Sequence, residues 1–325
     1  MHDYLSKTGR SRVKGRKLVA PLLRWYVDHG AVVKRVYRTI DYIPEKIFTW
    51  FVEQVTEARR TGDLDKSKAL LAEVFKLLGN SAYGKMIQAL ERQTNVIYTK
   101  DEKVVDKALR SAYFEDLDEI GEVYELESRK TRIAIKRPFQ VGIAVYQLAK
   151  LRMLEFYYDF LDKYIDRRDF ELILMDTDSL YTGISGERLE EIVRQELKAE
   201  FETEKKQWLA WDKWSGRTPG LFKLEFGGSR KIALCSKCYY ADDPESGKNK
   251  LSTKGMSKRH KEITWKRFKE ALNGGKDMAI NRVFKMWNGR MVTYEQKKLG
   301  LSAYYDKRWV LEDGIHTEPI EYHLS

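Results

Sequence analysis

The sequence predicts an α+β fold in which antiparallel strands and helices occupy separate stretches. Three observations predict it. Residues 172–182, LILMDTDSLYT, read as two strands around a tight polar turn. Residues 45–78 carry two successive helical patterns joined by a short polar loop, the mark of an antiparallel helical hairpin. Residues 221–241, LFKLEFGGSRKIALCSKCYYA, return to strands, with Gly227-Gly228 as a turn.

In chain order, apolar strand-formers alternate with Lys34, Arg35 and Arg38 between Val32 and Ile40. This suggests a strand with one basic face after a turn at His29-Gly30. Pro44 fits a helix start. A helix over 45–60 has an apolar stripe of Ile47, Phe48, Phe51, Val52 and Val55, and Thr61-Gly62-Asp63 ends it with Gly62 as C-cap. A second helix over 64–78 has a buried side of Leu70, Leu71, Val74, Phe75, Leu77 and Leu78. Residues 92–137 read as β-rich and loop-rich, with strands at 95–98, 121–126 and 131–135 and a charged helix at 101–112. A long helix over 141–164 is apolar around much of its circumference, which makes it a core support beneath the 172–182 hairpin. Residues 187–209 form a mixed-charge helix on a solvated face. Ser246-Gly247 marks a loop, residues 262–273 are helical, and the C-terminal stretch combines aromatics with Lys and Arg. The chain has no internal repeat and no low-complexity tract.

The chain of 325 residues is long enough for a substantial core and two or three subdomains. At 42% hydrophobic and 12% aromatic it is a folding sequence rather than a disordered one. No window approaches a membrane span, and the basic N-terminal stretch lacks the apolar run of a signal peptide. Cys235 and Cys238 are the two cysteines, in one C-x-x-C. No second Cys/His pair stands at a zinc spacing, and a redox C-x-x-C normally opens a helix, whereas this one lies in a strand-like run. Neither role is expected, and the low cysteine count fits a reducing intracellular compartment, nucleus or cytoplasm.

The net charge is +11 and unevenly spread. Residues 1–60 hold 13 Lys/Arg against 6 Asp/Glu, and residues 246–310 hold 17 against 5. Residues 101–127 are acidic, with 10 acids against 3 bases. Basic stretches interleaved with aromatics suggest a polyanionic partner, most simply nucleic acid; ordinary solvated surface has the same composition.

Two stretches carry chemistry. Asp176 and Asp178 are two apart, so in a regular strand both face one way. Close carboxylates repel unless a cation lies between them, and hard oxygens suit Mg²⁺. The same letters also suit a plain exposed turn. Upstream, Lys76, Asn80 and Tyr83 fall within roughly 60° of one another on a helix, followed by Gly84. A cation, an amide, a ring and a glycine on one face make a sensible nucleotide site. An amphipathic helix end capped by Gly84 reads the same way.

Taken in order, K-x-x-x-N-S-x-Y-G (Lys76 to Gly84) and D-T-D-S (Asp176 to Ser179) resemble two motifs of family B DNA polymerases, the fingers helix and the second catalytic-carboxylate motif. Lys237-Cys238-Tyr239 resembles the family's K-x-Y element, which holds the primer strand, and Lys254-Gly255 the basic turn that follows it. LFKLEF and SAYYDKRWVLEDGIHT are similar to the C-terminal part of the viral and transposon-borne branch, related to protein-primed polymerases. The resemblance runs from residue 17 to the end. It implies a right-hand architecture: a palm of antiparallel sheet and helices from 1–43 and 91–240, helical-hairpin fingers at 44–90 and a small basic thumb at 241–325. Residues 92–137 would correspond to the branch's palm insertion, which aids strand displacement in protein-primed relatives.

The resemblance further implies template-directed transfer from a dNTP to a primer 3′-OH by a two-metal mechanism. The implied partners are DNA template-primer, dNTP and a terminal protein primer, with no membrane. Asp176 and Asp178 are the implied catalytic ligands of two Mg²⁺ ions, with Mn²⁺ as a substitute. Lys76 is implied to bind the triphosphate and to protonate pyrophosphate. Asn80 and Tyr83 are implied to face the nascent base pair. Arg59, Arg60 and Lys68 are candidates for a second cation on the triphosphate. Gly84, Lys237, Tyr239, Lys254 and Gly255 are the implied DNA contacts.

The chain also departs from the family. The upstream carboxylate motif D-x-x-S-L-Y-P is not found; Asp41-Tyr42-Ile43-Pro44 shares letters but lacks the Ser-Leu-Tyr core. The exonuclease carboxylates are absent too. The expectation is therefore the C-terminal part of a larger polymerase, inactive or nearly so by itself unless an upstream piece supplies the carboxylate. The alternative is a non-catalytic nucleic-acid-binding remnant of a mobile-element polymerase. A two-metal nuclease would need more carboxylates near the hairpin, and a reverse transcriptase turn normally carries adjacent aspartates, whereas Thr177 intervenes here.

Overall fold

A computed structural model describes residues 17–90, 93–134, 136–235, 237–254, 256, 263–275, 277–287, 290–303, 308–312 and 317–319. The fold is α+β, built from small antiparallel sheets and helices. Helix α1 (Ala20–Asp28) has Pro in its first turn, where the missing N–H costs no hydrogen bond. It buries Leu22 and Trp25 against Leu151. Gly30 (φ 88°) ends it. Residues 31–46 then run without regular structure, so the strand expected over 32–40 does not form. The alternation is there, but no neighbouring strand satisfies it among the described residues, and Val32 and Ile40 are about four-fifths exposed.

The helical hairpin forms with shifted boundaries. Helix α2 (Thr49–Leu64) runs through the expected stop, and α3 (Ala69–Met86) carries the whole N-S-x-Y-G stretch as helix. Gly62 is no cap. A Cβ there would lie 2.4 Å from the Ala72 Cβ, so the glycine lets the two helices touch. The break falls at Asp65, whose carboxylate accepts from the Ser67 N–H and Oγ–H. Neither helix buries a residue fully, and Leu70 and Leu77 of the expected buried side stand exposed. The hairpin is fastened at both ends. Near its tip, Arg217 holds Asp63 with two bonds of 2.6 Å. At its base, Gly142 seats Ile87 and the Tyr83 carbonyl, with room for no Cβ (2.4 and 3.1 Å).

Residues 94–129 form a three-stranded antiparallel sheet in the order β1 (Thr94–Thr99), β3 (Val123–Arg129), β2 (Phe114–Ile120). Helix α4 (Glu102–Leu109), capped by the Asp101 carboxylate, packs on it through Val105. Strand β2, FEDLDEI, was not expected; its acids face water while Phe114, Leu117 and Ile120 turn partly inward. Residues 131–134 are not a strand.

The long helix is as expected. Helix α5 (Phe139–Leu154) passes without a break into a π-helical stretch (Glu155–Leu161) and a last turn to Tyr164. Phe156, Tyr157, Phe160, Leu161 and Tyr164 are all buried there. The hairpin of β4 (Phe170–Asp176) and β5 (Ser179–Ile184) lies on this core through Phe170, Met175, Leu180 and Ile184. Burying a ring such as Phe160 contributes about 1.5–3 kcal/mol. Residues 187–209 are not one solvated helix. They break into 3₁₀ turns around α6 (Lys198–Glu204), because Phe201 must enter the core and stack on Phe160.

A second core lies under the sheet β6 (Arg230–Cys235), β7 (Cys238–Asp243), β8 (Lys248–Ser252). Phe268 of α7 (Trp265–Leu272) and Leu301 are fully buried in it with Ile232, Leu234, Cys238 and Tyr240. The strand expected over 221–226 is absent apart from one bridge at Phe222. The hairpins β9 (Met278–Trp287) with β10 (Arg290–Leu299), and β11 (Arg308–Val310) with β12 (Thr317–Pro319), complete the described chain. Among the described residues, no helix is long and apolar enough to cross a membrane.

Candidate functional site

The D-T-D-S segment is the turn between β4 and β5, with Asp176 opposite Ser179. The two aspartates do not occupy a regular strand as expected. Asp176 ends β4 and is half-buried, whereas Asp178 sits in the turn and is exposed. The Asp178 N–H donates to the Asp176 carbonyl at 2.6 Å, closing a three-residue turn around Thr177. Thr177 therefore has φ 49°, a backbone that a β-branched residue rarely accepts. The Ser179 hydroxyl donates to the same carbonyl, and the Thr177 hydroxyl to the Asp176 carboxylate.

A second turn meets the first. Lys237, in the loop between β6 and β7, has φ 63° and places its ammonium 3.8 Å from the Asp176 carboxylate. Thr177 and Lys237 are the two non-glycine residues with left-handed backbone among those described. Such strained positions cost about 1–3 kcal/mol each and concentrate at functional sites.

Behind the two turns, the expected Tyr239 and two side chains that sequence reasoning missed, Tyr181 and Lys231, lock the hairpin to the sheet. The Tyr181 hydroxyl donates to the Tyr239 hydroxyl at 2.7 Å, with ring centroids 4.9 Å apart. Lys231 lies over the Tyr181 ring, 2.9 Å from its centroid, and its Nζ is buried without a hydrogen-bond partner. Burial, and then the charge of Lys250, pull the Lys231 ammonium down to about 7. Burial and the bond with Tyr181 push the Tyr239 phenol up to about 12. Lys250 is held by Glu225 at 2.6 Å. The signal was the strand register, which sets Lys231, Ala241 and Lys250 in one row across the sheet.

Of the remaining expected site residues, Lys76 is on α3, half-exposed, with Glu73 at 3.4 Å. Asn80 is exposed, Tyr83 half-buried, and a Cβ at Gly84 would meet nothing within 4 Å. The three candidate second cations separate clearly. Arg60 is spent on the 214–218 segment: it bonds the Thr218 hydroxyl at 3.1 Å and covers the Trp214 ring at 4.2 Å. Lys68 flanks Asp65 at 3.9 Å, two helical turns from Lys76. Arg59 feels Glu73, the acid that holds Lys76; burial and then Arg217 hold its guanidinium below the usual range. Lys254 is exposed, and its backbone N–H bonds the Cys238 sulfur. Gly255 lies outside the described residues.

Two hard carboxylates at a tight turn suit a divalent ion that keeps water and takes other oxygens from a phosphate. Among the described residues, no group of three or more His, Cys, Asp or Glu is arranged to hold a metal. Comparison with protein-family models, with curated proteins and with solved structures found no match.

Proposed function

We propose that the chain carries palm, fingers and thumb elements of a DNA-templated DNA polymerase. One observation carries the reading. Two sequence-remote motifs, D-T-D-S and K-x-Y, meet through Lys237 and Asp176 on the two strained turns. In this reading β4 and β5 belong to the palm, α2 and α3 are fingers, and residues 241–325 form the thumb. Asp176 and Asp178 would hold Mg²⁺, with Mn²⁺ as a substitute. The bound ions supply electrostatic stabilisation to the transferring phosphoryl group. Lys237 offsets the Asp176 charge and lies where a primer phosphate would pass. Tyr181 orients Tyr239 toward the same strand. Lys76 and Arg59 present cations to a triphosphate, Asn80 and Tyr83 face the nascent base pair, and Gly84 lets the DNA come close. The acidic 94–129 sheet would act as a wall that repels the displaced strand.

The test is template-directed capture of a photoreactive dNTP by the chain on primer-template DNA with Mg²⁺. Capture of the complementary nucleotide, lost in Lys76→Ala and in Asp178→Asn, supports the reading. DNA binding without capture indicates a non-catalytic nucleic-acid-binding remnant, and absence of DNA binding overturns both. Because the sequence lacks D-x-x-S-L-Y-P, primer extension by this chain alone is expected to be weak or absent. Robust extension would refute that part.

A further inference from the structure

The C-x-x-C occupies a place that the sequence did not suggest. Cys235 ends β6 and Cys238 opens β7, and the two residues are direct partners across the ladder. Opposed residues of an antiparallel pair have Cα atoms about 4.5–5.5 Å apart. A disulfide requires about 4.4–6.8 Å. No disulfide joins the two cysteines; their side chains hydrogen-bond to each other. Cys238 is buried at 2% exposure, and Cys235 is half-buried. The two residues between them include Lys237, the strained residue that reaches Asp176.

We propose that Cys235 and Cys238 are a reversible dithiol–disulfide couple whose state sets the conformation of the turn that carries Lys237. The inference goes beyond the polymerase reading and does not depend on it. The oxidant is a small-molecule disulfide. The more accessible Cys235 attacks as thiolate, forming a mixed disulfide and expelling one small thiolate. Cys238, as thiolate, then attacks the Cys235 sulfur, forming the protein disulfide and expelling the second small thiolate. The protein loses two electrons and two protons, and the small disulfide becomes two thiols. Burial pushes the Cys238 thiol up to about 11, which makes the second step the slow one. The bond closes a ring over only two intervening residues, so it removes little freedom from the unfolded chain and reverses readily in a thiol pool.

The chain is equilibrated in glutathione buffers of graded oxidised-to-reduced ratio, then alkylated and weighed. The expected product is a chain lighter by two hydrogen atoms, with neither cysteine alkylated and full reversal by dithiothreitol. Cys238→Ser should instead retain glutathione on Cys235. The wild-type chain in urea is the reference. The folded chain should oxidise at a ratio at least about tenfold lower, since the ladder holds the thiols together. Hydrogen exchange across 235–239 should slow on oxidation. Alkylation of both cysteines at every ratio, glutathione retained on the wild type, equal ratios folded and unfolded, or unchanged exchange would each overturn the proposal.

Discussion

Lys237 and Asp176 belong to different hairpins, yet their charged atoms are 3.8 Å apart, and each sits on a turn with a strained non-glycine residue. The contact is half-exposed, so it contributes little to stability, on the order of 0–1 kcal/mol. Lys237→Met should leave urea unfolding nearly unchanged while weakening primer-template binding and flattening its salt dependence by about one phosphate contact. An unchanged salt slope would remove Lys237 from the DNA path.

Thr177 bears the cost of the tight turn. Left-handed backbone costs a side-chain-bearing residue about 1–2 kcal/mol, and Asn tolerates it better. Thr177→Asn should raise unfolding free energy by about 0.5–1 kcal/mol in urea titration. Equal or lower stability would show that the turn is relaxed with threonine in place.

Lys231 gives a pH signature. Its folded-state value is about 7, whereas an unfolded lysine titrates near about 10.4. Below 7 both states carry the proton, and the penalty of burying the charge is fully present. Between the two values only the unfolded chain holds the proton, so wild-type stability rises with pH. Lys231→Met escapes this penalty. It should melt above wild type at pH 6, and the gap should shrink steadily toward pH 10. A gap independent of pH would contradict the burial of that charge.

Phe160 stands at the centre of the core beneath the aspartates, stacked with Phe156, Phe201 and Trp208. Phe160→Ala should cost about 3–5 kcal/mol by denaturant unfolding. That is a large part of the roughly 5–15 kcal/mol a domain has. A loss below about 1 kcal/mol would mean that the aromatic cluster repacks freely.

Asp63 and Arg217 fasten the helical hairpin. The hydrogen bonds from Arg217 hold the Asp63 carboxyl below the usual range. The contribution is present above the unfolded carboxyl value near about 3.9 and fades as pH falls through the folded one. Arg217→Met should cost about 1 kcal/mol after allowance for solvent screening, and hydrogen exchange over 61–69 should speed up. Unchanged exchange would exclude the pair as a fastening.

Much of this fold was legible where residue type and period agree. The long helix announced itself by apolar residues around much of its circumference, and the 172–182 hairpin by strand-formers on both sides of a polar turn. Legibility failed where a local pattern has two physical meanings. Gly62 serves close packing as well as it would a cap, and only the position of Ala72 decides. The 32–40 alternation needs a neighbouring strand that local sequence cannot supply. Strand β2 hides behind its acids, and β10 behind its polar run from Glu295 to Lys298. The site was legible as motifs. Its supports, Tyr181 and Lys231, depend on strand register, as does the pairing of Cys235 with Cys238.

The helical hairpin is secured by contacts that differ in their response to salt. At about 1 M the Debye length falls to about 3 Å, which weakens the ionic grip of Arg217 on Asp63. The seat of Ile87 on Gly142 is apolar and is not screened. High salt should therefore loosen the Asp63 fastening while leaving the Ile87 seat and the stacking of Arg60 on Trp214 in place.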